Sequence, residues 1–389
     1  MTATGGPTAR RDPPALTLAW DQVAAWRLQR HHLDRRAARS QALQVVADIA
    51  GLHAQVMSSA ELTLWARVGD LEPDAVRRAL WAERTLVKTW AMRGTLHLLP
   101  ADELPLWQAA LSTRGTYLRP VWLRNFGVTR EELERLIAAV ADALDGRALT
   151  REELAHEVAR LTGSTALGDK LRGSWGALLK PAAQRGKLCF APSDGQRVRF
   201  TRPDRWLERW REHDPDTAVL EVARRFLAAS GPVTREDYAR WWGIQPAEAG
   251  RLLARLGDEV VPVEVEGARG WLLAAHAEEI AQTAAAASVR LLPAFDQYVV
   301  TASRHAERLL PGPFRDRVYR PQGWLSPVLL LNGHMRGVWR HEVKGRTLRV
   351  SIEPFGKLTA RTRQAAAHEA ERLAAHLGAT LDLAWTLPT

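Results

Sequence analysis

With Cys189 as its one cysteine, the chain can build no internal disulfide framework, no Cys-rich zinc site and no cysteine-ligated iron–sulfur cluster. No apolar run approaches the roughly 20 residues of a membrane helix, and residues 1–10 lack the apolar stretch of a signal peptide. A cytoplasmic protein without membrane contact is therefore expected. HExxH is absent, and apart from the adjacent His31 and His32 the histidines are scattered, so no metal is expected. Walker and dinucleotide fingerprints are also missing, which removes ATP-driven and redox chemistry and leaves no cofactor. Nothing reads as a dimerisation coiled coil, so the expectation is a monomer.

What is present is 389 residues with 46% hydrophobic content, enough for several buried cores, and a formal charge of +10 in which arginine supplies most of the basic side. At least one extended positive face follows, with nucleic acid the first partner to consider. The sixteen tryptophans, among them Trp65, Trp81 and Trp339, fall mostly at helical or strand positions and read as core. Residues 1–15, rich in Gly, Pro and Thr, read as a flexible tail.

Hydrophobic spacing predicts helices over Trp20–Arg30, from a Ser40 N-cap to Ala50, over 58–68 and over 73–82, followed by short strands at 86–93 and 95–98 around Gly94. A small internal echo marks a repeat of this pattern. Val128–Leu133 (VTREEL), Leu149–Leu154 (LTREEL) and Val233–Tyr238 (VTREDY) each open a helix, the first two with a Thr…Glu capping box and the third with Asp237 in place of Glu. The second copy leads through a helical run at 174–185 to a hairpin at 187–190 and 197–200. The third leads through 246–256 to a hairpin at 260–265 and 270–273. Helix, turn, helix and wing is the winged-helix shape. Strand patterns at 289–292, 326–331, 337–343 and 347–352, with an amphipathic helix over 358–377, close the chain. The expected fold is α+β, with three tandem winged-helix units (16–125, 126–210 and 217–288) followed by a C-terminal antiparallel β-sheet region with a helix (289–389).

Gly51-Leu52-His53-Ala54-Gln55 stands out because it puts an imidazole and a carboxamide two positions apart where a helix ends. Two positions along a helix diverge by about 200°, whereas on a strand or in a turn they point the same way. Convergence of His53 and Gln55 therefore requires the helix to stop near Gly51, a suitable C′ residue. A pair that merely caps the helix end is the bland alternative.

Gly51–Gln55 (GLHAQ), Met92–His97 (MRGTLH), Leu291–Asp296 (LLPAFD) and Leu331–Trp339 (LNGHMRGVW) together resemble the signature blocks of the bacterial winged-helix DNA glycosylases of the AlkZ and YcaQ type. They stand in the family's order, and the similarity runs from about Leu16 to the C-terminus. It implies a monofunctional glycosylase that removes purines alkylated at N7, including bulky adducts and in some members interstrand crosslinks, from double-stranded DNA. The family's catalytic motif, Gln, an apolar residue, then Gln or Asp, falls on His53-Ala54-Gln55. Histidine in the first position resembles the AlkZ side of the family, and Gln55 rather than an acid departs from the YcaQ side.

The chemistry suits those residues. An N7-alkylated guanine is already cationic, so the leaving base needs no general acid; a neutral imidazole and an amide oxygen suffice to position water against C1′. Asp296, at a Pro-containing strand end, is a further candidate to orient the water, with a cap or ion-pair role as the alternative. The resemblance places Arg93 and His97 near DNA, where Arg93 would meet phosphate. Arg317, Tyr319 and Arg320, ahead of Pro321-Gln-Gly-Trp324, form a basic and aromatic loop suited to a DNA groove, and Arg336 joins this DNA-contacting set. The rival expectation is a noncatalytic winged-helix regulator reading a defined operator.

Overall fold

In the computed structural model, which describes residues 16–285, 287–303 and 306–386, the chain is a mixed α+β protein in which one order of elements occurs three times. In each occurrence a helix leads to a short strand, or in the third a single bridging residue, then to two helices and a hairpin, and that segment pairs with the second hairpin strand. The first runs through helix Ala42–Asp48, strand Leu52–His53, helices Met57–Arg67 and Ala75–Trp81, and strands Leu86–Trp90 and Leu96–Pro100. The second runs through helix Arg130–Ala143, strand Leu149–Thr150, helices Arg151–Thr162 and Thr165–Gly173, and strands Cys189–Asp194 and Arg197–Thr201. In the third, helix Pro215–Ser230 leads to Val233, which bridges Trp271, then to helices Arg235–Trp242 and Pro246–Ala254 and strands Val260–Val265 and Ala268–Leu273.

The threonine echo does the same work in each place. Thr129, Thr150 and Thr234 accept from the backbone N–H three residues on, and the acidic side chain there accepts from the threonine's own N–H. Asp237 closes its box despite being one methylene shorter than Glu, accepting from Thr234 N–H at 3.2 Å.

Several elements differ from expectation for identifiable reasons. Ser40 sits inside a short 3₁₀ turn (Arg39–Gln41) rather than capping a helix. The second helix of the middle repeat is Thr165–Gly173, capped by the Ser164 side chain, while 174–185 holds only a 3₁₀ turn and the short helix Lys180–Gln184. Strand Leu16–Leu18 does not join the first repeat; it pairs in parallel with Val263–Val265 of the third. The C-terminal sheet orders 289–292, 328–331, 334–344, 347–354 and 380–385, and it is not wholly antiparallel. Helix Ala360–His376 carries the chain across to a final strand, Thr380–Trp385, that runs parallel to Thr347–Pro354, as a crossover through a helix requires. The expected tail at 1–15 lies outside the described residues.

Packing divides the molecule unevenly. Leu133, Leu136, Val140, Leu154, Val158 and Leu171 belong to a core confined to the middle repeat and its flanks. The first repeat, the third and the C-terminal sheet share one continuous core, in which Trp65, Trp107, Phe226, Trp241 and Trp339 are buried together. Among the described residues no helix is long and apolar enough to cross a membrane.

Candidate active site around His53

The local chain geometry at His53 follows from its two neighbours upstream. Helix Ala42–Asp48 ends with Ala50 at φ +59° and Gly51 at φ +90°, and Gly51 N–H turns back to donate to Val46 O at 2.8 Å. These left-handed residues stop the helix and satisfy its last carbonyls. Gly51 is required for space as well as for angle, because a Cβ there would lie 2.7 Å from Leu99 Cδ2 and 3.0 Å from Leu98 O. The chain leaves as strand Leu52–His53, with His53 opposite His97 and Ala54 N–H donating to Leu96 O at 2.7 Å.

His53 is thereby held on the edge of a three-stranded sheet with its ring turned inward, 5% exposed. Phe295 lies parallel to the imidazole, centroids 4.8 Å apart and planes within 11°, and His97 meets it edge-on at 5.2 Å. Burial pushes the His53 pKa down to about 3, with the positive charge of Arg93 acting in the same direction, so the ring is neutral at physiological pH. Its Nδ1 is buried without a protein hydrogen-bond partner. His97 is also held well below its ordinary pKa, first by burial. Its Nδ1 lies 3.0 Å from Thr95 O, and since a carbonyl only accepts, Nδ1 carries the hydrogen.

Gln55 follows in a bend beyond the strand and is exposed. No hydrogen bond joins it to His53; the histidine forms part of the wall while the amide reaches solvent.

The other anticipated residues divide clearly. Asp296 is wholly buried, and its two oxygens each receive a 2.7 Å hydrogen bond from Arg67, itself wholly buried. It also caps helix Gln297–Thr301 by accepting from Tyr298 N–H at 2.9 Å. The cap and ion-pair alternative is thus the one the geometry matches, and neither oxygen is exposed to solvent. His97 has no surface to offer DNA. Arg93 does not project from a wing: at φ +56° in the turn Met92–Gly94, it donates from Nη1 to Trp241 O at 3.0 Å, docking the first repeat on the third. Arg317 pairs with Glu353 at 2.6 Å, whereas Arg320 is exposed and Arg336 partly so. Tyr319 bridges Leu325 across the loop Arg320–Trp324. The loop brings Trp324, 49% exposed, edge-on to Phe295 at 4.8 Å.

Phe295 is the site residue that sequence reasoning passed over, although it stands in one of the signature blocks. Its one signal was position, just before an aspartate and two residues after a proline at a strand end. Among the described residues no cluster of three or more His, Cys, Asp or Glu side chains is arranged to hold a metal ion.

The geometry thus presents a neutral histidine on an edge strand just beyond a helix end, backed by an aromatic ring, within an arginine-rich chain. The family model for AlkZ-like DNA glycosylases matches residues 46–376, and the chain belongs to that family of DNA glycosylases. A relative from Streptomyces sahachiroi, the interstrand DNA cross-link repair glycosylase, is 39% identical over 326 residues, covering 82% of this chain and 87% of the relative. The solved structure of Streptomyces sahachiroi DNA glycosylase AlkZ matches with a TM-score of 0.86 at 36% identity, over 96% of this chain and all of that one. The regulator reading is set aside accordingly.

Proposed function

We propose that this glycosylase excises purines alkylated at N7 from duplex DNA, including bulky adducts and interstrand crosslinks, acting as a monomer. The observation that carries the reading is a neutral, buried histidine with an unpartnered ring nitrogen at an edge strand. A buried polar atom without a partner calls for one. Water engaged by His53 and the amide oxygen of Gln55 attacks C1′ as the bond to N9 breaks. The electron pair of that bond neutralises the cationic base as it leaves, and the water's proton passes through the imidazole to solvent. The product is an abasic site, and no amine nucleophile enters.

The three repeats, read as winged-helix modules, furnish within one chain the multiple DNA contacts that a winged-helix regulator obtains by dimerising. Arg320 and Arg336, with the loop around Tyr319 and Trp324, are the contacts proposed nearest the lesion, and Arg317 supports that loop through Glu353. Crosslink unhooking is proposed by analogy with the 39% identical interstrand DNA cross-link repair glycosylase of Streptomyces sahachiroi.

The test incubates duplex DNA carrying a single N7-methylguanine with the protein and scores alkali-labile sites. The wild type is expected to release the base. His53→Ala and Gln55→Ala are expected to lower the single-turnover rate by at least about 100-fold each while retaining DNA affinity. Unchanged release by the double variant removes both residues from the mechanism. A parallel substrate with an N7–N7 crosslink decides the unhooking proposal.

A further inference from the structure

Phe295 combines two properties that ordinary core packing does not require together. It is a bulky residue at φ +58°, and its ring is stacked face to face on the imidazole of His53. A non-glycine residue with a large side chain in the left-handed region is strained, and such strain persists only where the surroundings over-determine it. Here they do so from both sides. Upstream, strand Val289–Leu292 is pinned by Trp339 Nε1, which donates to Leu292 O at 2.8 Å. Downstream, Asp296 is fixed by its two bonds to Arg67 and by its cap on Tyr298. These contacts hold the chain on either side of Phe295, whose ring lies on His53.

We propose that Phe295 is the positioning residue of the active site, with the buried Arg67–Asp296 pair as the clamp that holds it there. This rests on His53 being the residue that addresses water. The sheet sets where the His53 backbone sits but leaves the ring free about its side-chain torsions. Phe295 on one face and His97 at the edge fix the plane of the ring. Trp324, itself half exposed, meets Phe295 at a steep angle, so the aromatic contacts run from the histidine to the protein surface. The charged and titratable groups that face His53 are Arg93 and His97; Asp296, beside Phe295, is occupied by Arg67.

The experiment compares wild type, Phe295→Leu, Phe295→Tyr and His53→Ala on a duplex with one N7-methylguanine, under single-turnover conditions from pH 5 to 8. Affinity for a duplex carrying a tetrahydrofuran abasic analogue is measured alongside. Phe295→Leu is expected to lose about 100-fold in rate with unchanged affinity, the scale of a misplaced catalytic group. It should also acquire an acid limb, because a hydrated imidazole returns towards its ordinary pKa of about 6.5. Phe295→Tyr should restore both rate and flat profile. Phe295→Leu with the wild-type rate and a flat profile overturns the proposal. If instead His53→Ala retains the wild-type rate, the reading of the site itself falls, which is a distinguishable outcome. Wild-type protein with ¹⁵N-labelled histidine supplies a check that needs no variant at Phe295: the His53 ring, assigned by its loss in His53→Ala, should keep one neutral tautomer from pH 7.5 to 5. Titration near pH 6.5 or a tautomer mixture overturns the proposal.

Discussion

Replacing Asp296 separates two roles that a carboxylate beside an active site can have. Asp296 and Arg67 are both wholly buried and joined by two hydrogen bonds of 2.7 Å. Without the carboxylate, Arg67 keeps the Thr63 carbonyl at 2.9 Å and a 3.5 Å approach to His31 Nδ1, neither of which neutralises it. Stranding a buried guanidinium costs about 3–5 kcal/mol, and losing the cap on Tyr298 adds about 1 kcal/mol. Asp296→Asn keeps an oxygen for the cap but turns an amide N–H towards the guanidinium N–H groups, so it should cost nearly as much as Asp296→Leu. Arg67→Met combined with Asp296→Leu removes both charges and should be less destabilising than Asp296→Leu alone. Guanidinium denaturation followed by tryptophan fluorescence measures this. The pair lies in the large shared core, so the transition of that core should move while that of the middle repeat does not. Asp296→Asn with an unchanged midpoint and abolished excision would refute the reasoning and return Asp296 to the chemistry.

Two further outcomes follow from the same site. His53 and His97 have folded-state pKa values below the ordinary 6.5, so the unfolded chain binds protons that the folded one refuses; stability is full above that value and declines as pH falls from about 6.5 towards 3. For His53 the loss at pH 5 is about 2 kcal/mol, to be measured as the denaturation midpoint at pH 7.5 and 5, where an equal midpoint contradicts the burial argument. Gly51→Ala forces a Cβ against Leu99 and Leu98 O at φ +90° and is expected to lose about 1–3 kcal/mol together with excision rate; a variant of wild-type stability and rate shows that the break after the helix has no part in placing His53.

Features governed by neighbours in the chain were legible in the sequence. Helix Trp20–Arg30, the three threonine caps, the hairpin at 260–273 and the stop at Gly51 depend on periodicity and on residues within a turn of one another. What escaped depends on contacts across hundreds of positions. Asp296 looks the same in sequence whether it faces water or an arginine 229 residues away. Arg93 in a Gly-containing turn resembles a wing arginine until Trp241 is seen to accept its hydrogen bond. The parallel strand at 380–385 was missed because its pattern, TLDLAW, is short and its partner lies across a helix. His53 stands in a motif that the sequence displays, whereas the stacking of its ring on Phe295 has no counterpart in local spacing.

The pairing of Leu16–Leu18 with Val263–Val265 has a consequence for how the chain comes into being. During synthesis strand Leu16–Leu18 must wait some 250 residues for its partner. During that interval Leu18 and Trp20, which end up packed with Val263, Val265 and Leu272, have nothing to cover them. The middle repeat, with a core of its own, can condense meanwhile. Phe295, whose ring lies on His53, is made later still, so the histidine that appears early in the chain is among the last features to take its final surroundings.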